Sequence, residues 1–458
     1  MLALESPSPY AQQCDAEQDA ALPPQPKSVR DTGLTQQLIV ELLAKAMYLG
    51  GKTHLPVLTT RLHLSINVLR EVFDFMVAEQ VAEVAWRGES DIDVQYQLTN
   101  AGKQRASAWL ERCPYVGPAP VTLDAYRAMV ERQAVQAPHC ADELAAEFAD
   151  GLLDPALQRM LGAAMYSGRS ILLYGPSGSG KSTLARRLGG LLPGVIAVPH
   201  ALVVGQDIVQ VYDAALHCAP QGPAPRQPRQ LPQQRGGDPR WVLCRRPVVV
   251  LDGELDSAML DPQLDHHSGC YRAPPQLKAN NGLLIVDDLG RQRMPAAELL
   301  NRFALARELE RSQLSLAGGC HFNAPCRMRL VFATSLAPES LFDAAALRRV
   351  GYKVAVGALS VANYRTLLRQ QCLSAGVAYD DAALRYLLDE LHAGSGLPLL
   401  ACYPREIVGR IVDFAGFMGE PARLSVAALD QAWTSMFAGC GALPDGDVEA
   451  DLLEPRIA

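Results

Sequence analysis

The sequence predicts an α/β protein with a parallel-sheet domain at its centre, an all-α domain after it and a winged-helix-like α+β domain before it. Three observations predict this. Short apolar runs at 171–174, 195–198, 283–286 and 330–333 alternate with helical patterns, as strands of a parallel sheet do. From residue 360 onward the apolar spacing is helical throughout, with Tyr364, Leu367 and Leu368, then Leu384, Leu387 and Leu391, then Ile407, Ile411 and Phe414. Residues 32–113 show three helical periods, switch to strand-like alternation through Val81, Val84, Trp86, Val94, Tyr96 and Leu98, and return to helix.

The boundaries follow from composition. Residues 1–31 are polar and rich in Pro and Gln and read as a disordered tail; residues 32–115 form the winged-helix-like domain, and 116–150 a largely helical linker opened by Gly117, Pro118 and Pro120. The α/β domain takes 151–358 and the helical lid 359–440, followed by a tail at 441–458. Within the α/β domain, residues 219–240 hold Pro, Gln and Arg with almost no large apolar side chain, and a flexible loop is expected there. The basic stretch Arg226, Arg229, Arg235, Arg240, Arg245 and Arg246 reads as a solvated insertion, with contact to nucleic acid or an acidic partner as the alternative.

Bulk properties exclude several classes. The chain has 458 residues, is 49% hydrophobic and 20% charged and carries a formal charge of −7, an ordinary globular balance that argues against a nucleic-acid-coating surface. Its 11 cysteines are scattered without a C-x-x-C pair, so a reducing cytoplasm is expected. No apolar run approaches the roughly 20 residues that span a bilayer, and residues 1–31 lack the apolar segment of a secretory signal. His266, His267, Cys270, Cys320, His321 and Cys326 lack the spacing of zinc ligand pairs, so no zinc is assigned.

The sharpest signal is Gly175, Pro176, Ser177, Gly178, Ser179, Gly180, Lys181, Ser182 and Thr183, which matches G-x-x-x-x-G-K-[ST] between a strand and a helix. Glycines let consecutive N–H groups face one concavity that holds a β-phosphate, and the helix N-terminus adds its positive end. Lys181 reaches β- and γ-phosphate oxygens, and Ser182 ligates Mg²⁺. ATP and Mg²⁺ are therefore the expected cofactors.

Such a loop needs a carboxylate at the end of a nearby strand, and two segments offer one: residues 248–251 before Asp252, and residues 283–286 before Asp287 and Asp288. The second places two acids directly after four apolar residues, one for the metal and one for an attacking water. Asp287 is therefore assigned to magnesium and Asp288 to water activation. Residues 330–333 lead into Thr334 and Ser335, hydroxyls suited to touch a γ-phosphate or the water.

In order, these motifs, Ala345 through Arg348 and Arg349, and Tyr403-Pro404-Arg405, followed by a helical domain, resemble the AAA+ ATPases. The stretch 268–288, with 299–302 and 314–316, resembles the MoxR-type branch, and more closely a bacterial group of AAA family ATPases with an N-terminal winged-helix-like region. The resemblance covers about 152–437 and, more weakly, 32–113. It implies Walker A at 175–183, Walker B at Asp287 and Asp288, sensor 1 at Ser335 beside Thr334, an arginine finger at Arg349 with Arg348 as second choice, and sensor 2 at Arg405. A surface ion pair is the alternative for Arg348 or Arg349, and a helix-start salt bridge for Arg405. Two positions depart from the family: Asp288 stands where Glu is usual, and Ser335 where Asn is frequent.

The resemblance implies a homo-oligomeric ring, a hexamer, in which ATP hydrolysis moves a macromolecule. A protein client or adaptor engaged through residues 32–115 is expected. Contact with nucleic acid is the less favoured alternative, because the helix from Ser65 sets Arg70 against Glu71, Asp74 and Glu79, and the wing tip carries Glu89, Asp91 and Asp93.

Overall fold

The computed structural model describes residues 22–89, 93–134, 144, 146–149, 151–220, 236–266 and 268–437. They divide into two compact units: the first holds the described residues up to Glu147 with Arg159–Gly175 and Lys181–Ala355, and the second holds Phe148–Gln158, Pro176–Gly180 and those from Val356 onward.

The first unit opens with α1 (Gln36–Gly50), β1 (Thr53–His54), α2 (Leu55–Leu62), α3 (Ile66–Ala78), β2 (Ala82–Arg87), β3 (Val94–Leu98) and α4 (Asn100–Arg112). Thr35, Ser65 and Thr99 cap α1, α3 and α4, each accepting a hydrogen bond from an N–H three residues on. The strands pair antiparallel in the order β1-β3-β2, so the expected hairpin gains a third strand. Lys45 is buried inside this bundle, donates to the Cys113 carbonyl at 3.0 Å and has its pKa lowered by burial.

Then follow β4 (Val121–Thr122), α5 (Leu123–Arg132), β5 (Ile171–Tyr174), α6 (Lys181–Arg187), β6 (Val195–Pro199), β7 (Ala201–Val204), β8 (Asp207–Gln210), β9 (Trp241–Arg245), β10 (Val248–Leu251), β11 (Gln263–Asp265), β12 (Cys270–Arg272), β13 (Leu283–Val286), α7 (Ala296–Glu308), β14 (Arg311–Ser315), β15 (His321–Pro325), β16 (Arg329–Thr334), α8 (Ala344–Arg349) and β17 (Tyr352–Ala355). Five of these strands make one parallel sheet in the order β10-β13-β16-β5-β17. Its inner strands β5 and β13 are apolar on both faces, as strands covered on both sides require; β13 is buried along its whole length.

Four boundaries differ from the sequence reading. Residues 195–198 form a strand, but it pairs antiparallel with β9 outside the parallel sheet. The segment 116–150 does more than link: β4 pairs in parallel with β7 in a second sheet of order β11-β12-β8-β7-β4. The core of the N-terminal module runs on into Ala201, Ile208 and Cys270 of that sheet. Residues 22–31, expected in the tail, are also packed: Pro24 bridges Gly237, and the Val29 N–H donates to Glu71 at 2.8 Å.

The fourth difference concerns the expected loop at 219–240, whose residues 236–240 belong to the core. Arg240 and Asp238 are buried at 4% and 2% exposure and joined by hydrogen bonds of 2.8 to 3.1 Å. The Arg240 Nη1 also donates to the carbonyls of Thr32 and Pro120, at 3.1 and 3.2 Å. One guanidinium thus ties three distant chain segments by satisfying acceptors that apolar packing would leave unpaired. Arg246 is similarly committed, to the carbonyls of Pro193, Asn281 and Gln133. Arg226, Arg229 and Arg235 lie outside the described residues, as do the wing-tip Asp91 and the expected tail at 441–458.

The second unit contains α9 (Val361–Ala375), α10 (Asp381–Tyr386), α11 (Cys402–Met418) and α12 (Val426–Phe437) around Tyr364, Leu368, Leu384, Ile407, Ile411 and Leu429. Tyr364 Oη and His392 Nε2 lie 2.9 Å apart in its interior.

Two outcomes follow for stability. Arg240→Ala leaves the Asp238 carboxylate buried without its cation and should lower unfolding free energy by about 3–5 kcal/mol in denaturant titrations. His200 packs edge-on against His63, with ring centroids 4.8 Å apart, and burial together with His63 lowers its pKa to about 4. The unfolded chain, with a His pKa near 6.5, binds the proton first, so stability should be full above about pH 6.5 and fall toward pH 4, by up to about 3 kcal/mol. His200→Gln should flatten that slope in thermal melts taken across the range.

Candidate functional site

The parallel register brings the strand ends to one edge. Thr334 pairs with Tyr174, and Val286 with Phe332, so the segments leaving β5, β13 and β16 emerge side by side. The chain enters the sheet at β5, crosses to the far edge strand β10 and returns through β13 and β16, so the order reverses beside β5, where crevices form in open α/β sheets.

After β5, Gly175, Gly178 and Gly180 have φ of +146, +82 and +93, a backbone that side-chain-bearing residues rarely adopt. Ser177 and Thr183 are exposed, and Ser179 is buried with its N–H donating to the Pro176 carbonyl at 3.3 Å. Lys181 opens α6, is 7% exposed, and donates to the Gly175 carbonyl at 3.0 Å. Burial lowers its pKa against the opposing pull of Asp288 and Asp287.

Ser182 Oγ donates to Asp287 Oδ1 at 2.9 Å, which joins the first turn of α6 to the end of β13. Of the two candidate carboxylates, that contact brings Asp287 to the loop, whereas Asp252 is exposed at the end of the edge strand β10, with two strands between it and β5. Hydroxyl and carboxylate oxygens meeting at one point are the donor set that Mg²⁺ takes, so Ser182 and Asp287 fit the ion.

Asp288 follows with φ +48, its side chain exposed and its N–H donating to Asp287 Oδ1 at 3.1 Å. Asp enters this left-handed region more readily than most residues, which gives a backbone reason for the shorter acid where Glu was expected. The Leu289 N–H donates to the Ala333 carbonyl at 2.7 Å, holding this turn against the end of β16.

Thr334 and Ser335 separate here. Thr334 is fully buried, its hydroxyl donating to the Leu289 carbonyl at 2.8 Å and accepting from the Leu336 N–H at 3.1 Å. It braces the loop and is removed from the set of groups open to a ligand, whereas Ser335 is partly exposed. Arg348 and Arg349 are exposed at the end of α8, and Arg349 donates to Asn301 at 2.7 Å. Their helix leads directly into the start of β17, at the edge of the sheet opposite the phosphate loop, so neither is brought to this site by its own chain.

Arg405 belongs to the second unit, exposed in the first turn of α11. There the Cys402 N–H donates to the Gly178 carbonyl at 3.0 Å, and a Cβ on Gly178 would overlap the Cys402 thiol. The middle of the phosphate-loop motif therefore packs tightly on the start of the helix that carries Arg405.

Sequence reasoning missed two residues. Arg186 lies 3.9 Å from Asp287 Oδ2; its place four residues after Ser182, on the same helix face, was the available signal. Gln292 donates to the Asp287 carbonyl at 2.7 Å and accepts from the Gly290 N–H at 2.9 Å, and nothing in the sequence pointed to it.

Residues 154–210, which include the whole motif, match the family model of magnesium chelatase, subunit ChlI, and residues 360–435 match that of a domain of unknown function, DUF8689. Similar solved structures include NtrX from Brucella abortus in complex with ATP, at 15% identity and TM-score 0.38 over 61% of this chain and 55% of that one. Another is the RuvB Holliday junction branch migration motor of Thermotoga maritima, at 14% identity and TM-score 0.35 over 66% of this chain and 72% of that one. The chain thus spans little more than half the length of that NtrX structure. No curated protein matches the sequence. Among the described residues no helix is long and apolar enough to cross a membrane.

Thr334→Val keeps shape and removes the hydroxyl, leaving the buried Leu289 carbonyl unpaired. It should cost about 1–3 kcal/mol in denaturant titrations. Ser335→Ala should leave stability within about 0.5 kcal/mol of the parent.

Proposed function

We propose that this chain is an ATPase of the AAA+ class, converting ATP and water to ADP and phosphate. The observation that carries the reading is the 2.9 Å contact between Ser182 and Asp287, which unites the P-loop helix with an acidic strand end. The match of residues 154–210 to a magnesium chelatase subunit supports the class, and assignment to the MoxR-type branch rests on the sequence pattern at 268–316 alone.

In this reading Gly175 to Thr183 bind the phosphates, and Lys181 exchanges its Gly175 carbonyl for β- and γ-phosphate oxygens. Mg²⁺, held by Ser182 and Asp287, neutralises charge on those oxygens when bound. Asp288 and Ser335 orient the attacking water. Because Arg348 and Arg349 sit at the opposite edge of their own sheet, a second copy must supply the finger, which makes the enzyme a ring, a hexamer by resemblance. Arg405 reports nucleotide state through α11.

Residues 32–115 recruit a protein client. Tyr48, Leu49, Val57, Phe75, Val77 and Trp86 are exposed apolar side chains on this module, each more than a third accessible. The start of α3 is covered by residues 22–31, with Ser65 donating to the Pro26 carbonyl at 2.7 Å, which obstructs its entry into a DNA groove. A cytoplasmic location belongs to the same proposal.

Turnover per subunit should climb with protein concentration and vanish in Lys181→Ala and Asp287→Asn, whereas Arg349→Ala should lose about 10³-fold or more in kcat with nucleotide affinity kept. Activity independent of concentration would remove the ring. The exposed, short Asp288 favours a second reading, a slow nucleotide-gated regulator that contacts DNA: tight ATP binding without turnover, with a gel shift that weakens as salt rises, would select it.

A further inference from the structure

At the amino edge of the parallel sheet, roughly 13 Å along the strands from the phosphate loop, lies a cavity of about 220 Å³. Arg307, Arg327, Arg329, Glu310 and Asn281 line it, with Gly168 at its wall. Arg327 pairs with Glu310. Arg307 and Arg329 are half-buried, and among the described residues neither side chain makes a hydrogen bond or ion pair. The Arg329 guanidinium lies so close over Gly168 that a Cβ there would take its place.

These cations repel one another. The pKa of Arg307 is lowered by burial and then by Arg169, that of Arg329 by burial and then by Arg307, and that of Arg246 is brought to about 10 by burial and then by Arg329. Arg246 is compensated by three carbonyls; Arg307 is offset only by the nearby charge of Glu308, without a hydrogen bond, and Arg329 has no such relief. Even a half-buried charge without a hydrogen-bonded partner is a cost to the fold. The wall therefore offers two guanidiniums that no acceptor of the protein meets in a hydrogen bond. The volume is below the 300 Å³ or so at which sites for larger organic ligands begin.

We infer that this cavity is an anion site for a small oxyanion of the phosphate class, held by Arg307 and Arg329. A dianion complements two guanidiniums in charge, and its tetrahedral oxygens accept from their planar forks.

The test uses the full chain with Mg²⁺ and a non-hydrolysable ATP analogue at saturation, so that added phosphate has no access to the P-loop. Inorganic phosphate and glycerol 3-phosphate are titrated calorimetrically against chloride at matched ionic strength. One saturable phosphate site is expected, weakened at least about tenfold by Arg307→Gln and by Arg329→Gln. Binding of both probes identifies a phosphoryl group as the ligand, and binding of inorganic phosphate alone identifies the free ion. Without any variant, phosphate should also protect Arg307 and Arg329 from phenylglyoxal, read by peptide mass spectrometry. A titration indistinguishable from chloride, binding that survives both substitutions, or absence of protection overturns the inference. Should the analogue fail to bind, the nucleotide reading falls, while the arginine variants and the protection map still decide this site.

Discussion

Five parallel strands whose carboxyl ends share one edge are the constraint on which the site depends. Pairing of β16 with both β5 and β13 fixes how far the phosphate loop stands from the acidic strand end, and the Ser182 to Asp287 bond measures that distance at 2.9 Å. Slippage of β16 by one residue would turn Thr334 and its neighbours to the other face and remove the brace under Leu289. Strand order also leaves Asp252 on the edge strand two strands from β5, and strand direction puts Arg348 and Arg349 at the amino end of β17, away from the carboxyl ends.

The same edge shows how much of the chemistry rests on backbone. Gly178 and Gly180 turn the loop through conformations that need glycine, and Asp288 takes a left-handed turn that suits Asp. Gln292 and Thr334 then pin the carbonyls on either side of that turn. Lys181, buried with a lowered pKa, rests on the Gly175 carbonyl.

The N-terminal module is less separate than its composition suggested. Arg240 draws Thr32, Pro120 and Asp238 together, the core runs from α1 into the second sheet, and residues 22–31 cover the start of α3. A module fastened in this way is continuous with the α/β core of its unit.

The phosphate loop, the acidic pair after 283–286 and the helical character beyond residue 360 were legible in the sequence, because each is a local pattern: a motif, a run of apolar residues, a period. Local pattern also predicted strands at 171–174, 283–286 and 330–333 correctly. It failed where a residue's role depends on what approaches from elsewhere in the chain. Arg240 reads as solvated loop and is a buried anchor; Thr334 and Ser335 read alike, and only burial separates them; Arg186 and Gln292 acquire meaning from Asp287, about a hundred residues from the first and five from the second. The sequence by itself determined which residue types stand at the strand ends and loop turns. Only the tertiary structure decided which of them face one another, because strand order and register, which set those distances, are made by pairing between segments far apart in the chain.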